Sequence, residues 1–231
     1  MLILSLDTTT RSGSVAIVAD GAVLYEREGD GTHGHAHRLP LDVIRACETA
    51  GVDAANVDLF AVAAGPGSFT GLRIGIAAVQ GLAMAYGRHV VAVSTLEALA
   101  AAAGGPRVAA WLDAQRGEVF AQVYVLDADG EAYRPALEAV AAPPAFALEL
   151  QAAELDGAVF HGDGALKYRQ AVEVARGADV LLIDPVRPLA GAIGLLAARH
   201  PDRGAAPHAI APIYVRRPDA ELARERRARR P

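Results

Sequence analysis

The chain predicts a mixed α/β fold, and three observations carry that prediction. Three strand-like apolar runs open it, Leu2–Asp7, Ser14–Ala19 and Ala22–Arg27, with Asp20-Gly21 as a hairpin turn between the last two. From residue 35 onward, segments of helical periodicity alternate with short apolar runs. A glycine-rich loop, Gly65–Gly71, leads from one such run into a helix. A Rossmann domain would alternate strand and helix from its first residue, and this chain does not.

Each element has its own signal. Thr8–Gly13 is the tight connection between the first two strands. A helix over His35–Ala50 follows from Leu39, Val43, Ile44 and Cys47, spaced by three and four residues, with Gly51 as its stop. Asp58–Ala64 reads as a buried strand, Leu72–Tyr86 as a second helix ended by Gly87, and Val90–Val93 as a strand. Ser94 or Thr95 can cap a short helix through Ala103. Gly104-Gly105-Pro106 is the best domain boundary, giving a first domain over 1–103 and a smaller one over 106–188. In the latter, Val108–Asp113, Glu118–Leu126, Val159–His161 and Val180–Ile183 read as strands and Pro143–Leu150 as a short helix. A last helix runs from Leu189 to about residue 200, before Pro201, and is expected to pack back on the first domain.

The 231 residues are 52% apolar and 21% charged, enough for a sizeable core and too apolar for wholesale disorder. Cys47 is the single cysteine, so no internal disulfide forms, which fits a reducing compartment; it reads as a small core residue. The N-terminus has no basic segment and no cleavage site, and reads as a strand rather than a signal peptide. The longest apolar helical stretch, Leu72–Tyr86, is too short for a bilayer, so a soluble, cytoplasmic protein with no membrane contact is expected. Net charge is −5, unevenly spread. Residues 216–231 hold seven Arg against three acids, a flexible basic tail of +4, which leaves −9 on the body. An acidic body is a poor platform for nucleic acid, with the tail as a local exception.

Several groups of residues invite chemistry. Asp7-Thr8-Thr9-Thr10 ends a strand, where a carboxylate can hold Mg²⁺ through water and hydroxyls can cradle phosphate; a self-bonded polar turn is the plainer reading. Gly65-Pro66-Gly67-Ser68-Phe69-Thr70-Gly71 feeds a helix N-terminus, so it is either a phosphate loop or a tight strand–helix joint. It is not a P-loop, since no Lys-Ser/Thr pair follows the glycines. His33, His35 and His37 alternate and could bind a metal if extended, although no carboxylate or Cys lies in the run. Gly71, Gly75, Ala78, Gly81 and Ala85 make a small-residue face on the second helix, suited to close approach of its own sheet or of a partner. HExxH, GxSxG and CxxC motifs are absent.

Five segments, in order along the chain, resemble the TsaB (YeaZ) family: Leu4–Thr10, Ala63–Gly75 with its GPGSFTGLRIG string, Val93–Leu99, Asp113–Val119 and Pro212–Arg216. The resemblance implies the actin-like ATPase fold, a ribonuclease H-like α/β fold with two lobes. It implies a non-catalytic scaffold in tRNA threonylcarbamoyladenosine synthesis that pairs with TsaD, a paralogue that carries the metal and modifies the adenosine beside the anticodon. The ATPase TsaE would dock on that pair, and tRNA would be met only indirectly. TsaD's His-x-x-x-His metal pair falls, in this alignment, on Thr95 and Leu99, which cannot restore it.

The expected contact residues on the two helices of the first lobe are therefore His37, Leu41, Ile44, Ile74, Ala78, Val79 and Leu82. Asp7, Thr8, Thr9, Thr10, Gly65, Gly67 and Ser68 would be remnants of nucleotide loops. No catalytic residue, metal or cofactor is expected, and the same helices could support a homodimer when TsaD is absent. An ATP-dependent small-molecule kinase or ATPase of the same fold is the alternative; a peptidase finds no motif.

Overall fold

Leu2–Asp7 (β1) lies at the centre of the first sheet because apolar side chains leave it on both faces. The computed structural model describes residues 1–31 and 34–216. Ser14–Ala19 (β2) pairs antiparallel with β1, and Ala22–Glu28 (β3) forms the exposed edge beside β2. Leu59–Gly65 (β4) and His89–Ser94 (β5) extend the other side in parallel, giving the order β3-β2-β1-β4-β5.

Period-two alternation sends β1, β2, β4 and β5 into two cores. Leu4, Leu6, Val15, Ile17, Phe60 and Val62 meet His35–Ala50 (α1) and Phe69–Tyr86 (α2). Ile3, Val18, Leu59, Ala61 and Val91 meet Thr95–Ala103 (α3) and Ala190–Arg199 (α7) on the other face. Cys47 is buried in the first core on α1, and desolvation pushes its thiol pKa up, away from nucleophilic use.

The second sheet is built from Arg107–Gln115 (β6) and Glu118–Leu126 (β7), a hairpin whose turn residues Gln115 and Arg116 both have positive φ. Tyr133–Pro135 (β8) and Val140–Ala142 (β9) pair with β7, and Val159–His161 (β10) runs parallel to β6. Pro144–Leu150 (α4), Asp163–Lys167 (α5) and Arg169–Arg176 (α6) complete this half around Trp111 and Phe160, which meet edge to face at 5.5 Å. Two sheets with interleaved helices make a mixed α/β fold. Among the described residues no helix is long and apolar enough to cross a membrane.

α7 returns from the second half to cover β1 and β2. Its first N–H groups have no partner within the helix and find one across the sheet: Ser14 Oγ accepts from Leu189 N (3.2 Å) and Ala190 N (2.9 Å). Ser5 Oγ donates to the Ala190 carbonyl, and Glu26 Oε1 accepts from Gly191 N, both at 2.6 Å. The segment that follows straps the two halves together. Ala205 bridges Val90, Ile213 N donates to the Ala64 carbonyl at 2.7 Å, and Arg216 reaches Glu118 and the Ala114 carbonyl in the second sheet.

Two sequence expectations need correction, and two stretches hold elements that the sequence did not signal. Val180–Ile183 is not a strand: only Leu182 bridges, to Phe160, because the neighbouring β10 is three residues long. α2 begins at Phe69, since Ser68 Oγ caps it by accepting from Gly71 N. The connections around 127–142 and 162–176 contain β8, β9, α5 and α6. The basic tail falls almost wholly on 217–231, outside the described residues.

Candidate functional site

The loops after β1 and β4 lie directly on each other. Asp7 is buried, and its carboxylate is consumed within its own turn: Oδ1 accepts from Thr9 N (2.7 Å) and Thr9 Oγ1 (2.6 Å), and Oδ2 from Thr10 Oγ1. Thr8 Oγ1 donates to the Gly71 carbonyl at 2.7 Å. Ser68 N donates to the Thr9 carbonyl at 2.9 Å, so an amide that would face a phosphate is spent on protein.

Glycine makes this contact possible. A β-carbon on Gly71 would stand 1.9 Å from the Thr8 carbonyl oxygen, and one on Gly67 would stand 2.6 Å from Thr9 Cβ. Gly65 has the strap's Ile213 carbonyl 2.4 Å from its β-position. Of the two readings of this glycine-rich string, the geometry favours the tight joint.

Beside the joint, Thr10–Ser14, Glu28, Leu112, Asp163 and Arg187 line a cleft of ≈ 210 Å³ between the lobes. That is below the ~300–1,000 Å³ of usual ligand pockets. Glu28 and Asp163 add negative charge, and burial raises the Asp163 pKa. Both ring nitrogens of His35 lie against protein groups, Nε2 at 3.1 Å from the Thr10 carbonyl and Nδ1 at 3.0 Å from Arg38 Nη2. The alternating-histidine metal reading therefore loses His35, while His33 lies outside the described residues. Thr95 and Leu99 are fully buried.

α1 and α2 lie side by side on one face of the first sheet. Leu72, Ile76, Val79 and Ala83, spaced four, three and four, form the buried stripe of α2. Val79 is thus a correction: it is fully buried in the core and cannot meet a partner. Ile74, Ala78 and Leu82 are half-buried at the margin, His37 is exposed, and Leu41 and Ile44 are 53% and 52% exposed. The small-residue face divides. Gly71 and Gly75 serve the joint with Thr8, whereas Ala77, Gly81 and Ala85 face outward with Met84, which is 69% exposed. Ala77 stands alongside the small-residue face in the sequence; Met84 is the residue that sequence reasoning missed, yet the buried stripe's spacing places it away from the sheet.

Known proteins share this architecture. A family model described as "TsaD: tRNA N6-adenosine threonylcarbamoyltransferase" matches residues 30–179. The solved structure of YeaZ from Pseudomonas aeruginosa has a TM-score of 0.75 at 35% identity, covering 92% of this chain and 99% of that one. The chain belongs to the TsaB (YeaZ) family. It belongs as well to the wider family that the TsaD model describes. The tRNA threonylcarbamoyladenosine biosynthesis protein TsaB of Escherichia coli strain K12 is 38% identical over 152 residues, 62% of this chain and 63% of that protein, just under two thirds of its length. An uncharacterized protein of Mycobacterium tuberculosis is 33% identical over 226 residues, 95% of this chain and 93% of its own.

Proposed function

We propose that this chain works in tRNA threonylcarbamoyladenosine biosynthesis as a non-catalytic scaffold that pairs with and activates TsaD. TsaD would modify the adenosine beside the anticodon of ANN-decoding tRNAs, with TsaE docking on the pair, tRNA met indirectly and no cofactor held by this chain. Residues 1–103 with α7 form the docking lobe in this reading, and 106–188 the smaller one. One observation carries it: two adjacent helices on one face of the first sheet leave Leu41, Ile44, Ala77, Gly81 and Met84 exposed. Apolar and small residues gathered on paired helices suit the equivalent helices of a chain of the same fold, and without that chain they suit a second copy of this one. The buried Thr95 and Leu99, and the closed Asp7 turn, support a role without chemistry of its own.

Gly81→Glu tests it. No atom lies within 4 Å of the β-position at Gly81, so the monomer accepts the side chain. Tagged Gly81→Glu co-expressed with TsaD and TsaE is expected to purify alone, and tRNA modification to fall with it. Recovery of TsaD at the wild-type ratio would remove α2 from the interface.

A further inference from the structure

A second cleft, of ≈ 420 Å³, opens between the two sheets. It is twice as large as the one beside the glycine joint and falls within the usual ligand-pocket range of ~300–1,000 Å³. The start of α3 lends it Ser94 and Glu97, β7 lends Tyr124, β8 lends Arg134, and the segment after α7 lends Arg203 and Ile213. Tyr124 is 4% exposed, and burial raises its pKa, so its phenol keeps the proton. That proton goes to Gln122 Oε1 at 2.7 Å. Ser94 Oγ stands 3.5 Å from the phenol oxygen, the outer limit of a hydrogen bond, so its own proton is available to a ligand. Charge in the lining is one carboxylate against two guanidiniums. Glu97 and Arg203 pair with each other at 2.9 Å. Arg134 forms no ion pair among the described residues; Asp127, the acid its charge reaches, gives Oδ1 to the amides of Glu131 and Ala132.

We propose that this cleft binds a small organic monoanion, a carboxylate on a compact apolar body. Arg134 supplies the uncompensated positive charge and Ser94 a hydroxyl donor, and hydrogen bonds between a guanidinium and a carboxylate are among the strong ones. Pro66, Pro135, Ile213 and Val215 supply an apolar wall for the body. The same balance disfavours other occupants. A cation meets a net positive lining, and a dianion brings one charge more than the lining offsets. Because the lining comes from both sheets and from the segment that straps them, an occupant touches all three and holds them together. The inference goes beyond the proposed function and does not rest on pairing with TsaD.

The test titrates the isolated full chain, isotope-labelled, with benzoate and hexanoate, and with benzamide and hexanamide as their neutral counterparts. At least one acid is expected to move the backbone signals of Ser94, Tyr124 and Arg134 along one saturable curve, and to raise the melting temperature as its concentration rises. Its neutral counterpart should do neither at the same concentration. Arg134→Gln, at an exposed position, should weaken binding about tenfold. Arg45→Gln, which removes an equal charge from the exposed side of α1, should leave it within about twofold. Melting curves of the free variants check that both fold. Failure of both acids to saturate, equal binding of the neutral counterparts, or an equal loss in Arg45→Gln overturns the inference. Co-purification of Gly81→Glu reports on TsaD separately, so each reading can fail without the other.

Discussion

Thr8 and Gly75 stand so close that the Thr8 hydroxyl oxygen is 2.2 Å from where a β-carbon on Gly75 would sit. The same hydroxyl donates to the Gly71 carbonyl, so it cannot swing aside without giving up a buried hydrogen bond. Gly75→Ala is therefore expected to destabilise the chain by about 1–3 kcal/mol, although alanine is the better helix former. Thermal and urea melts would show this, and an unchanged midpoint would mean that α2 moves away from β1 freely.

Gly81, six residues further on, behaves oppositely. Its surroundings are open, so Gly81→Ala should stabilise the isolated chain by about 0.5–1 kcal/mol. A pair of substitutions on one helix, with opposite signs in the same melt, separates the joint face from the outward face.

Asp7 is expected to matter for folding and not for chemistry. Asp7→Ala leaves the Thr9 amide and the Thr9 and Thr10 hydroxyls without their shared acceptor, at a cost of about 2–3 kcal/mol. At a temperature where the variant is folded, tRNA modification by the reconstituted complex should match the wild type. A loss of turnover at full folding would restore the nucleotide-loop reading.

Ser14→Ala removes the acceptor for two first-turn amides of α7, Leu189 and Ala190, in a buried place. The expected loss is about 1–2 kcal/mol. Amide exchange should accelerate at the start of α7 more than at its end.

His161 sets a pH dependence. It is fully buried, with Nδ1 2.9 Å from the Leu99 carbonyl and Nε2 3.4 Å from the Arg187 amide, an arrangement that suits the neutral ring. Burial first, and the Arg187 charge with it, hold its pKa below the ordinary 6.5. As pH falls through 6.5 the unfolded chain takes up a proton that the folded chain refuses, so stability declines toward acid. His35, also lowered, contributes in the same window. His161→Asn, whose amide can still donate to Leu99, should flatten the fall in melting temperature between about pH 7 and 5. A slope identical to the wild type would assign the whole effect elsewhere.

Much of this was legible in the sequence where periodicity is long. α1 emerges from His35 to Ala50 as read, because Leu39, Val43 and Cys47 give a full amphipathic face and Gly51 takes the left-handed stop. Three-residue strands such as β8 and β9 have no period to detect, and they exist because β7 offers a long partner edge. Gly71 looked like the end of a loop, yet it sits inside α2, since only glycine admits the Thr8 carbonyl there. The same long-range contact hid the role of the Thr8 hydroxyl, whose acceptor lies 63 positions away. The hydrogen bond from Arg73 to Tyr214 Oη is hidden for a similar reason, since nothing local announces a partner across 141 positions. Val79 was misassigned because a helix apolar nearly all round conceals which side faces its sheet.

The placement of α7 orders the birth of the molecule. A ribosome completes β1 and β2 long before the helix that shields one of their faces, which lies at 190–199. Until that helix leaves the exit tunnel, Ile3 and Val18 have no cover from it, and the buried hydroxyls of Ser5 and Ser14 lack their partners. The lobe laid down first is thus finished last, and a chain that stops before residue 190 lacks the helix that covers one face of its opening sheet.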